Sequence, residues 1–213
     1  MMTTSLIRCR RFGATALLIL SAVAMAGCAA QSTPTNRFTL PEANDPHSSV
    51  ASEARSKPSA RQLAVSPVEV ASYLDQEGIV MQTSDIELAA ANQNLWAEAL
   101  SHQLTRRLRQ SLANDLPGVT VLSSAQSGPD AQRLTLSVDQ FQGRYDGQAV
   151  ASGEWQLHDG RHLLAQKHFD ITQPLSDDGY PALVRSLGAV WETVAKQVAE
   201  EIRTSAMTPA ATK

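Results

Sequence analysis

Two Asp-Gly pairs separate three alternating runs in the second half of the chain, and this pattern constrains the fold most. Asp146-Gly147 and Asp159-Gly160 are typical of tight β-hairpin turns, because both residues of such a turn need a positive φ. Apolar residues fall on one face of each run and polar residues on the other. The sequence therefore predicts an antiparallel meander with one dry face and one polar face. Its apolar positions are Leu134, Leu136 and Val138, then Trp155 and Leu157, then Leu163, Ala165, Phe169 and Ile171.

Two longer stretches carry apolar residues at helical spacing and predict two helices. Asn92 or Asn94 can cap the first, and Pro117-Gly118 ends it, while Pro181 fits the first turn of the second. The predicted fold class is α+β, an antiparallel β-sheet with two long amphipathic helices packed on one face. The helical apolar positions are Trp96, Leu100, Leu104, Leu108 and Leu112, then Leu183, Leu187, Val190, Trp191, Val194, Val198 and Ile202.

The N-terminus is typical of a bacterial lipoprotein export signal. Arg8, Arg10 and Arg11 precede an apolar run of about 14 residues, shorter than the ~20 that a membrane-spanning helix needs. The tetrapeptide Met25-Ala26-Gly27-Cys28 is similar to the lipobox, in which the cysteine thiol receives a diacylglyceryl group before cleavage. We expect Cys28 to be lipidated and to become the first residue of the mature chain. Ordinary signal cleavage that leaves a free cysteine is the alternative.

This interpretation divides the chain into four parts. Residues 1–27 are the predicted signal peptide, and residues 28–35 form a lipidated tether that spans at most ~25 Å when extended. Residues 36–206 form the folded domain, and residues 207–213 a disordered tail. Ala29 follows the cysteine where an Asp would resemble an inner-membrane retention signal, so we expect an outer-membrane anchor with the domain facing the periplasm.

Charge and cysteine content exclude several classes of partner and site. The formal net charge is −3, and because the three charged residues ahead of Cys28 are arginines, the rest carries 15 basic and 21 acidic side chains, or −6. We therefore expect no nucleic-acid partner, since phosphate binding needs an excess of Lys and Arg. Cys9 and Cys28 are the two cysteines, which leaves the body without a disulfide or a cysteine-based zinc site.

The body contains no recognisable catalytic or cofactor motif. It has no G-x-S-x-G elbow, P-loop, H-E-x-x-H helix or dinucleotide fingerprint. His158 and His162 flank the Asp159-Gly160 turn and could approach one another, with His168 further along the chain. A metal-binding or enzymatic lipoprotein built on these histidines is one hypothesis, but no third ligand follows at a familiar spacing. We expect no enzyme activity, cofactor or metal. A binding role could use the polar strand face or an edge strand near Pro67, against the alternative of a solvated face on a monomer.

Three further segments of the body form a pattern: Phe38-Thr39-Leu40-Pro41, Tyr73-Leu74-Asp75-Gln76-Glu77-Gly78-Ile79-Val80 and Leu95-Trp96-Ala97-Glu98-Ala99-Leu100. In this order they resemble the family of ABC-type transport auxiliary lipoproteins, and the resemblance covers roughly residues 36 to 204. Motifs of that family are closer to YLDRPGIV and RWAEPL, so Gln76-Glu77 here replaces Arg-Pro, Leu95 replaces Arg and Ala99 replaces Pro.

Four motif residues remain as candidate partner or structural residues. Tyr73, Leu74 and Asp75 keep the family's turn, and Trp96 keeps its aromatic anchor. No catalytic residue is among them. The resemblance thus implies a task carried out by packing and binding.

The resemblance implies a non-enzymatic role in intermembrane lipid transport. In that role an outer-membrane lipoprotein works with MCE-domain proteins anchored in the inner membrane and with ABC-transporter or other membrane subunits. A lipid needs a shielded path across the periplasm, because each exposed CH₂ costs ~0.8 kcal/mol. A homo-oligomeric ring around the MCE conduit is a family-level expectation. The alternative is an envelope-assembly lipoprotein that partners an outer-membrane β-barrel of the lipopolysaccharide-translocon type.

Overall fold

A computed structural model describes residues 34–42 and 61–207 of the chain, and these contain nine strands and two α-helices. The predicted signal peptide, Cys28 and the residues after 207 lie outside the described part. The helices are α1 (Leu100–Asp115) and α2 (Tyr180–Met207). The strands are β1 (Asn36–Phe38), β2 (Arg61–Val65), β3 (Glu69–Val70), β4 (Gly78–Gln82), β5 (Leu88–Trp96), β6 (Val119–Ser123), β7 (Gln132–Gly143), β8 (Gln148–Asp159) and β9 (His162–Pro174).

The predicted meander is present as β7, β8 and β9, which pair antiparallel in sequence order. Its two turns lie where the Asp-Gly pairs predicted them. Gly147 has φ 76° and Gly160 has φ 56°, but no other residue type in the described part has a positive φ. The expectation that Asp146 and Asp159 would also adopt a positive φ is therefore wrong, because one left-handed glycine per turn is enough to reverse the chain here.

The α+β class is confirmed, but the sheet is mixed rather than antiparallel throughout. One edge of β7 is covered by β8, and the other carries β2, β3 and β4 one after another, all parallel to β7. Pro67 separates β2 from β3, since proline has no N–H for the ladder. An edge strand near Pro67 was expected. The strand before Pro67, β2, lies between β6 and β7, but β3, which follows Pro67, pairs with β7 alone among the described strands.

The first helix begins later than the sequence pattern predicts. Residues Leu88–Trp96 form β5, which pairs with β4 on one side and with β1 on the other. Neither Asn92 nor Asn94 is a helix cap, and α1 starts at Leu100 after Ala99. The backbone ladder with two neighbours outweighs the helix propensity of an alanine-rich run, because propensity is only a weak preference.

Both helices pack on the same face of the sheet, as predicted, and an aromatic cluster joins the layers. The Trp191 ring on α2 meets Phe141 at 6.0 Å and Phe169 at 6.3 Å between centroids, in edge-to-face geometry. Its Nε1–H donates to the backbone oxygen of Leu104 on α1 at 3.1 Å. Trp96 extends the cluster, with its ring 6.4 Å from Phe141. No helix within the described residues is both long enough and apolar enough to cross a membrane.

Candidate functional site

The three motif segments, which are far apart in sequence, meet at one corner of the sheet. Strand β1 lies parallel to the end of β5, with Phe38 paired to Trp96. The Trp96 amide donates to the Glu77 carbonyl at 2.7 Å, and the Ala97 amide donates to the Phe38 carbonyl at 2.8 Å. Together they enclose a shallow cleft of about 270 Å³, called here the motif pocket. Its lining residues are Arg37, Asp75, Gln76, Glu77, Trp96, Ala97, Glu98 and Ala99.

Three of the four candidate motif residues are used inside the fold. Leu74 and Trp96 are buried in the core, and Tyr73 is half-buried. The Tyr73 hydroxyl lies 2.8 Å from both the backbone oxygen of Asp139 and the side-chain oxygen of Gln142. Burial raises the pKa of Tyr73, and the Asp139 carboxylate raises it further, so the phenol stays protonated and able to donate. These three residues fix the turn and the pocket wall.

Asp75 is the exposed member of the set and lies on the rim of the motif pocket. It follows a 3₁₀ turn, and its amide donates to the Ser72 carbonyl at 3.3 Å. Its carboxylate is therefore the motif group most accessible to a partner. A partner-binding role for any of the four residues stays a prediction.

Ion pairs shape the charged rim of the motif pocket. Arg37 donates to Glu77 Oε2 at 3.2 Å and to the Trp96 carbonyl at 3.3 Å, which links β1 to both other segments. Glu98 pairs with Arg106 on α1, and the hydrogen bond from Arg106 lowers the pKa of Glu98. Exposed pairs of this kind contribute little stability, so their effect is to order the rim. The sequence analysis missed Arg37, whose partners are neighbours only in the fold.

A buried polar stripe on α1 connects the pocket to the helix pair. Gln103, Arg107 and Ser111 recur every four residues beside the leucine stripe, and all three are buried. Arg107 is only 7% exposed, so this arginine does not lie on the solvated face of the helix. Ser111 donates to Glu192 of α2 at 2.6 Å. The every-fourth polar spacing was the available signal for this stripe.

Gln103 links the N-terminal segment to the folded body by hydrogen bonds. Its Oε1 accepts a hydrogen bond from the Leu40 amide at 2.8 Å, and its Nε2 donates to the Glu98 carbonyl at 3.1 Å. Leu40 itself is buried in the core. A Cβ on Gly188 of α2 would lie 2.8 Å from Pro41, so the next residue packs closely on that helix. The chain that follows the predicted tether is thus built into the domain.

Gln103→Leu is expected to lower the free energy of unfolding by about 1–3 kcal/mol, because it leaves the buried Leu40 amide without an acceptor. Urea denaturation of the non-acylated chain would measure the loss. His102→Leu changes the neighbouring exposed position of the same helix and should stay within about 0.5 kcal/mol of the parent. Equal effects of the two variants would contradict the role of Gln103.

The three histidines do not converge. His158 pairs with Leu163 across the β8–β9 hairpin, and His162 pairs with Asp159, so the two imidazoles are not cross-strand partners. His168 Nε2 lies 3.3 Å from Glu154 Oε2 on the polar sheet face. Across residues 34–42 and 61–207, no group of three or more His, Cys, Asp or Glu side chains is placed to hold a metal ion.

Comparison with known proteins supports the resemblance of the motif segments. The model of the family described as the ABC-type transport auxiliary lipoprotein component matches residues 38–199. The intermembrane transport lipoprotein PqiC of Escherichia coli K12 is 37% identical over 188 residues, which cover 88% of this chain and 96% of that protein. The protein of the same name in Shigella flexneri matches equally well.

Solved structures share the fold. A crystal structure of a protein described as uncharacterized is 34% identical, with a TM-score of 0.69 over 80% of this chain and 99% of the other. A Xanthomonas campestris protein at 17% identity has a TM-score of 0.59 over 81% and 94% of the two chains, which shows the fold alone. From the family match and the identity over most of its length, the chain belongs to the ABC-type transport auxiliary lipoprotein component family.

Proposed function

We propose that this chain is a non-enzymatic outer-membrane lipoprotein subunit of an intermembrane lipid transport system. In this proposal it faces the periplasm and docks with an MCE-domain protein and ABC-transporter or other inner-membrane subunits. The observation that carries the proposal is the 37% identity to PqiC, an intermembrane transport lipoprotein, over 88% of this chain and 96% of that one. The lipobox-like Met25-Ala26-Gly27-Cys28 supports the membrane anchor.

The N-terminal segment supports this role by joining the anchor directly to the folded body. A tether of residues 28–35 reaches at most ~25 Å, so the domain has to remain close to its membrane. Strand β1 starts at Asn36, immediately after that tether, and pairs with β5. Leu40 then enters the core, and Gln103 holds its amide. A force applied by a partner in the periplasm would therefore be transmitted to the lipid anchor through the backbone pairing of β1 with β5.

The motif pocket is the surface that we propose for docking. It is shallow, and it presents the carboxylates of Asp75, Glu77 and Glu98, of which Glu77 is paired with Arg37 and Glu98 with Arg106. Carboxylates on an ordered rim favour a partner segment that offers basic or hydrogen-bond-donating groups. Copies arranged as a ring would repeat this pocket around the conduit and would raise the affinity for a symmetric partner by multivalency.

The test is crosslinked affinity purification of the lipidated chain from native membranes, with co-purifying proteins identified by mass spectrometry. We expect an MCE-domain protein and its inner-membrane subunits among them. Asp75→Lys should reduce their recovery, because it reverses the charge of the accessible carboxylate, whereas Asp170→Lys on β9 is a matched exposed control. Equal loss in both variants would argue against the motif pocket as the docking surface.

The envelope-assembly alternative has a distinct outcome in the same experiment. Recovery of an outer-membrane β-barrel of the lipopolysaccharide-translocon type, without any MCE-domain protein, would move the function there. The identity to an intermembrane transport lipoprotein favours the transport proposal over this one.

A further inference from the structure

The β4–β5 hairpin ends in an apolar tip that the fold leaves uncovered. Ile86 at the apex is 91% exposed, and Leu88 at the start of β5 is 44% exposed. Ala89 and Ala90 continue the exposed apolar run along β5. The tip is ordered by its own hydrogen bonds, since the Thr83 amide donates to the Glu87 carbonyl at 2.9 Å. Single exposed apolar side chains are common, but Ile86, Leu88 and the two alanines are close in sequence, and apolar groups clustered on a surface are typical of protein or membrane contact sites.

The strand directions point the described chain ahead of β1 toward the end of the sheet that carries this tip. Strand β1 is parallel to β5, with Asn36 paired to Asn94, so the chain ahead of Asn36 points toward the start of β5. Leu88 lies about 20 Å from Asn94 along β5, at the ~3.3 Å rise per residue of a strand. The tether of residues 28–35 spans at most ~25 Å, measured from the level of the Asn36–Asn94 pair. The tether is therefore long enough to reach the level of the hairpin tip.

An exposed aromatic residue also lies at this end of the sheet. Met81 of β4 pairs with Gly143, the last residue of β7, so the hairpin tip and the β7–β8 turn lie at the same end. Tyr145 in that turn is 60% exposed. Tyrosine favours membrane interfaces, where its ring is apolar and its hydroxyl is hydrated.

We propose that Ile86 and Leu88 insert into the lipid leaflet that holds the Cys28 anchor, with Tyr145 at the interface. This inference rests on the proposed lipid anchor and adds a second contact between the domain and the membrane. The anchor keeps the tip at high local concentration next to the leaflet, so two side chains are enough to fix the orientation of the domain. The opposite end of the sheet then faces the periplasm.

The charges around the tip determine which bilayer it prefers. Asp85 and Glu87 flank Ile86, and Asp177 and Asp178 lie ahead of α2 at the same end. Arg144 is paired with Asp146 and does not offset them. Acidic groups are repelled by anionic lipid headgroups, so insertion is strongest in zwitterionic bilayers and weakens as phosphatidylglycerol is added.

The opposite end of the sheet provides a matched control. Leu163 and Leu164, at the β8–β9 hairpin, are 50% and 44% exposed. Arg133 of β7 pairs with His158 near that hairpin, and Gly143 at the other end of β7 lies about 33 Å away at the strand rise. Both ends of the sheet thus expose apolar side chains, but the tether leads only toward the end that carries Ile86.

The experiment uses the full acylated chain in phosphatidylcholine–phosphatidylethanolamine vesicles, with a thiol-reactive environment-sensitive fluorophore. Ile86→Cys and Leu164→Cys each supply one free thiol, because the thiol of Cys28 is acylated and Cys9 is removed with the signal peptide. Quenching by lipids with a nitroxide on the acyl chain reports insertion, and quenching by iodide reports exposure to water. We expect lipid quenching of the label at position 86 to be about threefold stronger than at position 164, with the opposite order for iodide.

The outcomes that would overturn the inference have different consequences for the proposed lipid anchor. Vesicles that carry the protein while the label at 86 is quenched only by iodide would exclude tip insertion and leave the anchor intact. A protein that does not float with vesicles would exclude both. Phosphatidylglycerol should reduce lipid quenching at position 86, and Asp85→Asn with Glu87→Gln should restore it. A label at 164 quenched as strongly as the label at 86 would reverse the proposed orientation.

Discussion

Trp191→Ala is expected to lower the free energy of unfolding by about 3–5 kcal/mol, as for other large core aromatics. Trp191 is 2% exposed, and its ring meets Phe141 and Phe169 edge-on, so its removal leaves a cavity between α2 and the sheet. The indole N–H also bonds the Leu104 carbonyl and connects the two helices. Urea denaturation of the non-acylated chain, followed by circular dichroism, would measure the loss.

Two further variants separate the contributions of Trp191. Trp191→Phe keeps an aromatic ring but removes the N–H donor to Leu104, and we expect a loss of about 1–2 kcal/mol. Leu164→Ala at an exposed position should stay within about 0.5 kcal/mol of the parent. A loss below about 1 kcal/mol for Trp191→Ala would contradict its place in the core and would fit an interface residue instead.

The meander could be predicted from sequence because its information is local. Alternation and turn residues lie within the paired segments themselves, and β7, β8 and β9 follow one another without a crossover. The parallel strands lack such information, since β2 pairs with β6 and β7 across long stretches of chain. Periodicity shows which face of a strand is buried but not which strand lies beside it. The mixed parallel and antiparallel pairing of the sheet therefore could not be predicted from the sequence.

The start of α1 shows how tertiary pairing overrides a local pattern. Residues 88–96 are rich in alanine, and Trp96 lies four residues before Leu100. Trp96 thus extends the every-fourth apolar spacing of α1 toward the N-terminus, which favours a helix. In the fold, β4 and β1 take up the hydrogen bonds on both sides of that segment. Trp96 consequently ends a strand and reaches Phe141 from the sheet. Neither neighbour could be inferred from the segment alone.

The candidate site was predicted in its parts but not in its geometry. The family resemblance selected Tyr73, Asp75 and Trp96, and the structure brings their segments together around one pocket. Arg37 and Gln103 were not predicted, because each forms its hydrogen bond with a segment 40 or more residues away in the sequence. Long-range partners of this kind become visible only when the β1–β5 pairing is known.

Cys28→Ser is expected to release the protein from membranes almost completely. Serine has no thiol to accept a diacylglyceryl group, and two or more acyl chains are what hold such an anchor stably in a bilayer. The apolar tip at Ile86 and Leu88 is too small to replace them, since the hydrophobic gain is only about 1.5–3 kcal/mol per side chain. Fractionation of cells into soluble and membrane pools, followed by immunoblotting, would measure the release.

The control for this prediction is Cys9→Ser, which changes the other cysteine and should leave the protein membrane-bound, because Cys9 lies within the predicted signal peptide. A Cys28→Ser protein that remains in the membrane pool at its precursor size would show an uncleaved apolar segment acting as the anchor. One that remains there at its mature size would show that a partner or the hairpin tip retains it. The second result would contradict lipidation as the main attachment, whereas the first would show that cleavage requires the Cys28 thiol and would leave the lipid anchor of the parent chain in place. Release of the mature-size chain would leave the tip as a contact that orients the domain but depends on the lipid anchor for its proximity.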